Sequence, residues 1–393
     1  MNYSLYVHIP FCKHRCHYCD FNTYAGKESL IPGYVDALIA EIRIVNNYFN
    51  DINLHTIYFG GGTPSLISQS EYQKLFECIN AKFSLTSDCE ISLEANPGTI
   101  SWPYLVNLRS IGFTRVSFGV QSTNSIDLPR LDRIHNIDDI LKAMRWARRA
   151  GFENINLDLI FNLPWQNLSS WQSSLTRALE LKPEHFSLYS LIIEPGTLFY
   201  NWYKRGLIAS QDNDLEADMY EFAMEKLKDA GYVHYEISNW SKADPVEDFR
   251  CRHNLQYWMN QPYIGIGAGA HGYLGNIRTE NVPGIEPYIE RLATINTFSG
   301  DFPETPATIN TLKVDRLTQM KDFMWLGLRL IHEGVSIDRF QQTFGCSAHE
   351  AFGNEIRELL GLGLVEWVGV EQSNLRLTQK GILLANQVFM RYV

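Results

Sequence analysis

The 393-residue sequence has no surplus of positive charge: 34 lysines and arginines stand against 44 acidic residues, a net charge of −10 at neutral pH. No basic run is long enough to form a cationic tail, which argues against nucleic acid as a partner. There is no apolar stretch near the ~18 residues a bilayer span needs, and no basic segment leading into an apolar one at the start. The expectation is a soluble cytoplasmic protein with no transmembrane segment and no secretory leader. A disulfide framework is also missing, because the seven cysteines are odd in number, with Cys12, Cys16 and Cys19 crowded together and Cys78, Cys89, Cys251 and Cys346 scattered. That distribution fits a reducing compartment and a metal site. Internal repeats and low-complexity tracts are absent as well.

What is present is an alternation. Six β-rich apolar runs, near residues 4–10, 55–61, 89–96, 115–121, 154–160 and 185–193, are each followed by a helix-like stretch, among them Ile31–Asn47 and Ile137–Ala150. Crossovers of this length imply parallel strands, and six units favour an open barrel over a closed eight-fold one. From Tyr232 to Asn281 the pattern shifts to short aromatic strands with Gly-rich joints, read as an antiparallel extension of the sheet, and Phe302–Asn310 reads as a linker. Beyond it, a helix around Leu317–His332, two shorter helices and a small hairpin (Leu364–Val368, Leu375–Thr378) resemble a winged-helix arrangement. With few basic residues, that unit reads as a packing or partner domain. The expected fold is thus α/β, with residues 1–300 as the core and its extension and 311–393 as the small domain.

Cys12, Cys16 and Cys19 form a C-x3-C-x2-C motif just after the first strand. Three thiolates on one tight loop can hold three corners of a [4Fe–4S] cubane and leave the fourth iron without a protein ligand. S-adenosylmethionine (SAM) can chelate that iron through its amino and carboxylate groups, and the reduced cluster can then cleave the sulfonium to a 5′-deoxyadenosyl radical. The competing reading is a Cys3His zinc site completed by His14 or His17. Gly60-Gly61-Gly62-Thr63-Pro64 follows the second strand, where the lack of side chains lets backbone approach a ligand; a tight turn alone explains three glycines less well. Glu94, Gln121, Arg133 and Asp158 fall at or beyond strand ends, the ligand-binding face of a parallel barrel. Their polarity suits the ammonium, carboxylate and hydroxyls of SAM, although each alone could be a salt-bridge or capping residue. Gly265-Ile266-Gly267-Ala268-Gly269-Ala270-His271 lacks dinucleotide-fingerprint spacing and reads as close backbone packing.

The stretch YVHIPFCKHRCHYCDF, residues 6–21, resembles the opening of the radical SAM coproporphyrinogen dehydrogenase-like family, and the resemblance extends over most of the chain. It implies a radical SAM partial (β/α)6 barrel, with Tyr6 beside SAM, Tyr18 next to the cluster, and Gly61, Gly62, Thr63, Glu94, Gln121, Arg133 and Asp158 as SAM contacts. Two positions depart from the family pattern: Asp132 and Asn162 stand where glycine is usual.

Within that family two branches diverge. The dehydrogenase branch, which decarboxylates coproporphyrinogen III oxidatively, has a long segment before the cluster and a further cysteine two residues after the third ligand; here eleven residues precede Cys12, and Asp20-Phe21 follow Cys19. His253-Asn254-Leu255-Gln256-Tyr257-Trp258 resembles the HNxxYW motif of the haem-chaperone branch. Imidazole is a competent haem ligand and the Tyr257/Trp258 pair offers flat surfaces for a porphyrin, whereas a histidine in an aromatic-rich strand is otherwise a hydrogen-bonded core residue. The resemblance therefore implies a chaperone with haem b as cargo, acceptor haemoproteins such as respiratory enzymes, and an electron donor for the cluster. The porphyrinogen-oxidising enzyme is the alternative, no catalytic residue is assigned, and a homodimer stays open.

Overall fold

The computed structural model describes residues 2–48, 52–293, 298 and 300–393. Strands β1 (Asn2–Ile9), β2 (Asn53–Gly61), β3 (Ser84–Ala95), β4 (Arg115–Gln121), β5 (Asn154–Phe161) and β6 (His185–Ser190) lie in that order, each parallel to the next. Helices α1 (Ile31–Asn46), α2 (Gln69–Lys82), α3 (Trp102–Ile111), α4 (Ile137–Arg149) and α5 (Leu168–Glu180) make the crossovers. The period-two alternation of the strands explains the layering. On β4, Val116, Phe118 and Val120 are buried in the main core, while Arg115, Gly119 and Gln121 face the opposite way and line a cavity. The partial (β/α)6 barrel expected from the sequence is present.

The chain continues through α6 (Leu198–Lys204), α7 (Asn213–Asp229), β7 (Tyr232–Glu236), β8 (Asn239–Lys242), α8 (Arg252–Trp258), β9 (Tyr263–Ile266), β10 (His271–Leu274), β11 (Ile277–Asn281), α9 (Ile285–Ala293) and β12 (Thr308–Lys313). These strands complete a twelve-stranded sheet ordered β12-β11-β10-β9-β1-β2-β3-β4-β5-β6-β8-β7. The extension differs from expectation in three ways. It is split between both edges, and β9 pairs parallel to β1 before the antiparallel β10, β11 and β12. The HNLQYW motif lies on helix α8 rather than on a strand, because the Glu90 carboxylate of β3 accepts the first helical N–H groups, those of Arg252 and His253, and so caps the helix from outside. The segment read as a linker ends in β12, which pairs along β11 from Thr308 onward.

The C-terminal unit has its own core, built on residues such as Met324, Phe340, Leu359, Leu375 and Val388. Helix α10 (Arg316–Gly327), strand β13 (Val335–Ser336), helices α11 (Ile337–Phe344) and α12 (Ala348–Gly361), strands β14 (Val365–Val368) and β15 (Asn374–Leu377), and helices α13 (Gln379–Leu383) and α14 (Ala385–Phe389) follow in sequence. The antiparallel order β13-β15-β14 gives the winged-helix arrangement. Helix α12 carries Glu350, Glu355 and Glu358 against Arg357, an unfavourable face for a phosphate backbone. Among the described residues no helix is long and apolar enough to cross a membrane.

One buried carboxylate ties the extension to the barrel. Glu41 on α1 is fully buried and accepts hydrogen bonds from Tyr288 Oη (2.5 Å), Asn281 Nδ2 (2.8 Å), Thr305 Oγ1 (2.8 Å) and the Gly267 amide (2.9 Å). Gly267 has φ 103°, and a Cβ there would stand 2.6 Å from the His8 carbonyl oxygen, so the glycine-rich run is close packing, as read from the sequence. Glu41→Ala leaves several dry donors without an acceptor, each costing about 1–3 kcal/mol, so urea unfolding is expected to show a loss of at least about 3 kcal/mol. A loss below about 1 kcal/mol would mean that the network contributes little.

Candidate functional site

The inward faces of the parallel strands enclose a cavity of about 570 Å³. Tyr6, Tyr18, Gly61, Gly62, Thr63, Glu94, Gln121, Arg133 and Asp158 all border it, as do the three clustered cysteines. Sequence positions more than a hundred residues apart thus converge because each lies on the inward face of a strand or on a loop that follows one.

The cysteine loop leaves β1 at Pro10. Each sulfur is approached by one hydrogen-bond donor or hydroxyl: Thr63 Oγ1 at 3.6 Å from Cys12, Arg133 Nη1 at 3.4 Å from Cys16 and Thr23 Oγ1 at 3.9 Å from Cys19. Burial raises the pKa of the Cys12 and Cys19 thiols above the ordinary value. Among the described residues no group of three His, Cys, Asp or Glu gathers closely enough to hold a single metal ion. A cubane makes a different demand, since each thiolate takes its own iron and the three sulfurs need only border one volume. They do so here, with donors placed to stabilise negative sulfur, and the residues fit the group.

The two departures from glycine keep the glycine backbone. Asp132 and Asn162 have φ 60° and 59°, left-handed conformations that Asp and Asn tolerate better than most residues. Asp132 Oδ2 hydrogen-bonds His14 Nε2 and lies 3.0 Å from His17 Nε2, so one carboxylate holds two imidazoles of the cysteine loop. Arg133 donates to the Gly119 carbonyl at 2.7 Å and to Cys16, and its Nε is buried without a partner.

Two carboxylates dominate the electrostatics. Glu94 accepts from Tyr58 Oη at 2.8 Å and from the Gly61 amide at 3.1 Å. Burial, then the Asp158 carboxylate, push its pKa up to about 7. Asp158, whose pKa burial also raises, accepts from Ser117 Oγ at 2.9 Å and Asn156 Nδ2 at 2.7 Å. Gly61 and Gly62 are needed for packing: added Cβ atoms would stand 2.4 Å from the His8 ring and 2.6 Å from the Phe11 carbonyl oxygen. The amides of Gly61, Gly62 and Thr63 donate to Glu94, Ile9 and Phe11, so this corner offers a ligand acceptors rather than donors. An ammonium suits it.

The HNLQYW helix divides its residues between two places. His253 and Tyr257 border the cavity; Trp258 lies against the C-terminal unit, with the Arg329 guanidinium 4.1 Å above its ring. The expectation that Tyr257 and Trp258 share one surface is not met, because residues one apart on a helix point about 100° away from each other. His253 is 1% exposed. Thr56 Oγ1 gives its proton to Ser4 and accepts from His253 Nδ1 at 2.8 Å, while Tyr257 Oη caps Nε2 at 3.0 Å. Burial, then His55, push its pKa down to about 3.

Sequence reasoning missed Arg115, a guanidinium 2% exposed at the cavity wall with an unpartnered Nε. It also missed the stack of Tyr58 on His253 at 5.1 Å and the clamp by Asp132. The inward alternation of Arg115, Ser117, Gly119 and Gln121 is the signal that marks Arg115.

Comparisons with known proteins fit this geometry. The profile of the radical SAM superfamily matches residues 6–178, and that of the HemN C-terminal domain residues 314–384. A Bacillus subtilis (strain 168) protein named heme chaperone HemW is 40% identical over 387 residues, 98% of each chain. The chain belongs to the HemW family of radical SAM proteins. The Lactococcus lactis subsp. lactis (strain IL1403) HemW is 36% identical over 390 residues, covering 99% of this chain and 97% of its own. The HemW of Escherichia coli (strain K12) is 41% identical over 270 residues, 68% of this chain and 69% of its own. A solved structure of coproporphyrinogen III oxidase (HemN) from Escherichia coli shares the fold, with a TM-score of 0.83 and 23% identity over 100% of this chain and 90% of that one. Membership of the HemW family places the chain among proteins of haem and porphyrin metabolism.

The raised Glu94 pKa has a measurable consequence. The folded protein binds this proton more tightly than the unfolded chain, whose glutamates titrate near about 4.3, so the stabilisation is complete below that pH and is lost as pH rises through about 7. Glu94→Gln cannot ionise. In ligand-free protein it is expected to gain stability over the wild type between pH 5 and pH 8, read from urea midpoints; an equal difference at both pH values would place the Glu94 pKa in the ordinary range.

Proposed function

We propose that this chain is a haem chaperone that carries a [4Fe–4S] cluster on Cys12, Cys16 and Cys19, binds SAM in the barrel cavity, and delivers haem b to acceptor haemoproteins such as respiratory enzymes. The observation that carries the reading is the near full-length identity of 40% to a protein named heme chaperone HemW. The site supports it with three thiols that each face a donor or hydroxyl, and with paired carboxylates suited to a cationic ligand. The bound cluster would supply an electron to the SAM sulfonium, chemistry that belongs to the cofactor.

The protein's own part is positioning. Glu94 accepts from the SAM ammonium, Asp158 and Gln121 meet hydroxyls, and Arg133, released from Gly119 or Cys16, turns to the carboxylate. Tyr6, whose hydroxyl donates to His8 Nδ1 at 2.9 Å, and Tyr18 close the walls. Of the HNLQYW helix, His253 and Tyr257 border the cavity that haem approaches, while Trp258 holds the helix to the C-terminal unit. An electron donor reaches the cluster from a reducing cytoplasm, the working units are residues 1–300 and 311–393, and a homodimer is compatible with the arrangement. Likeness to HemN at 23% identity concerns architecture alone, and Asp20-Phe21 after Cys19 and the HNLQYW motif favour the chaperone over a coproporphyrinogen dehydrogenase.

Anaerobic reconstitution tests the cluster: Cys12→Ala, Cys16→Ala and Cys19→Ala are each expected to lose iron and sulfide, and retention in Cys16→Ala alongside loss in Cys78→Ala overturns the assignment. Glu94→Ala and Asp158→Ala are expected to keep the cluster and to weaken SAM binding in calorimetry by about 1.5–3 kcal/mol. Unchanged affinity in both would leave them a structural role. Haem titration of the reconstituted protein is expected to show binding with no conversion of coproporphyrinogen III. Turnover to protoporphyrinogen IX would replace the chaperone by the enzyme.

A further inference from the structure

We propose that the haem iron is ligated by His14, with the macrocycle lying across the mouth of the barrel on Phe21, Ile134, Tyr189 and Ile192. This deepens the haem-chaperone reading and rests on it.

An axial ligand needs an accessible imidazole nitrogen with a free lone pair. His253 offers none, being 1% exposed with both ring nitrogens engaged. Like His14 it borders the barrel cavity, so burial and engaged nitrogens, not location, set the two apart. His14 presents the opposite environment. It borders the same cavity from the cysteine loop, and its side chain is 51% exposed. Its Nε2 is held by the Asp132 carboxylate, while its Nδ1 makes no hydrogen bond to a described residue. A histidine with one ring N–H on a carboxylate and the other nitrogen open is the usual arrangement of a metal-binding imidazole, because the carboxylate fixes the ring and raises its basicity. Either ring nitrogen can serve.

The surroundings match the rest of the ligand. Phe21 and Ile192 are each 65% exposed, and Ile134 and Tyr189 are exposed too, yet all four border the cavity. Single exposed apolar side chains are common on any surface; four of them at one opening mark a binding surface. Haem is a flat apolar disc with two carboxylates on one edge. Lys13 and Arg15 flank His14 and border the opening, as do the acidic Asp20 and Glu194, so cations able to pair with the propionates stand beside the proposed ligand.

The test uses the full chain, reconstituted and matched for iron and sulfide before haem is added. His14→Gly is expected to weaken haem binding at least roughly tenfold and to change the Soret band and the resonance Raman spin-state markers, with added imidazole restoring the wild-type spectrum. His14→Gln, which keeps the bulk of the loop, is expected to show the same loss without rescue. Asp132→Asn should weaken binding by roughly tenfold, the effect of removing an outer-shell carboxylate. An unchanged spectrum in both His14 variants, or its loss in His253→Gln with an unaltered thermal melt, overturns the inference while leaving the chaperone reading in place. Absence of haem binding in the wild type defeats that reading itself.

Discussion

Ser117, Asn156, Asp158 and Ser187 project inward from three neighbouring strands, joined by hydrogen bonds such as Asn156 Nδ2 to Ser117 Oγ at 2.7 Å. Parallel barrels ordinarily fill this space with branched apolar side chains. Here the polar lining keeps the interior open, and the outward faces of the same strands must supply the core against the helices. Every element of the candidate site depends on that division, because the cysteine loop, the carboxylates and the HNLQYW helix meet only around a space that the core has vacated.

The lining also sets the charge states. Glu94 and Asp158 share the cavity with buried Arg115; burial raises both carboxyl pKa values against the pull of Arg115, and the Asp158 charge adds to the rise at Glu94. A pocket of this kind favours a positively charged guest, which relieves the repulsion on binding. The cysteine loop has a local anchor as well, since Asp132, held left-handed, ties His14 and His17 to the loop that carries Arg133.

Much of this was legible in the sequence. The six parallel strands, the cysteine loop and the inward-facing carboxylates follow from alternation and spacing, which are local. The winged-helix order was readable for the same reason. What escaped depended on distant partners. The residues around His253 look strand-like because they are aromatic, yet Glu90 from another strand caps them into a helix. Trp258 was assigned to the porphyrin surface because the motif is contiguous in sequence, whereas the helix turns it toward Arg329. Strand β12 hid in a Pro/Thr-rich stretch whose pairing partner, β11, supplies the order. The hydrogen bonds that close both nitrogens of His253 could be read only once Thr56 and Tyr257 had been placed.

Helix α8 is seven residues long, fixed at its start by Glu90 of the barrel and near its end by the Arg329 stack of the C-terminal unit. It is therefore a strut rather than a decoration on either side. A chain cut after the barrel would expose the Trp258 face, loosen the far end of the strut, and so slacken the wall that holds His253 and Tyr257. For this architecture the small C-terminal domain is a brace for the cavity, and domain-swapped hybrids would have to match the strut as well as the two cores.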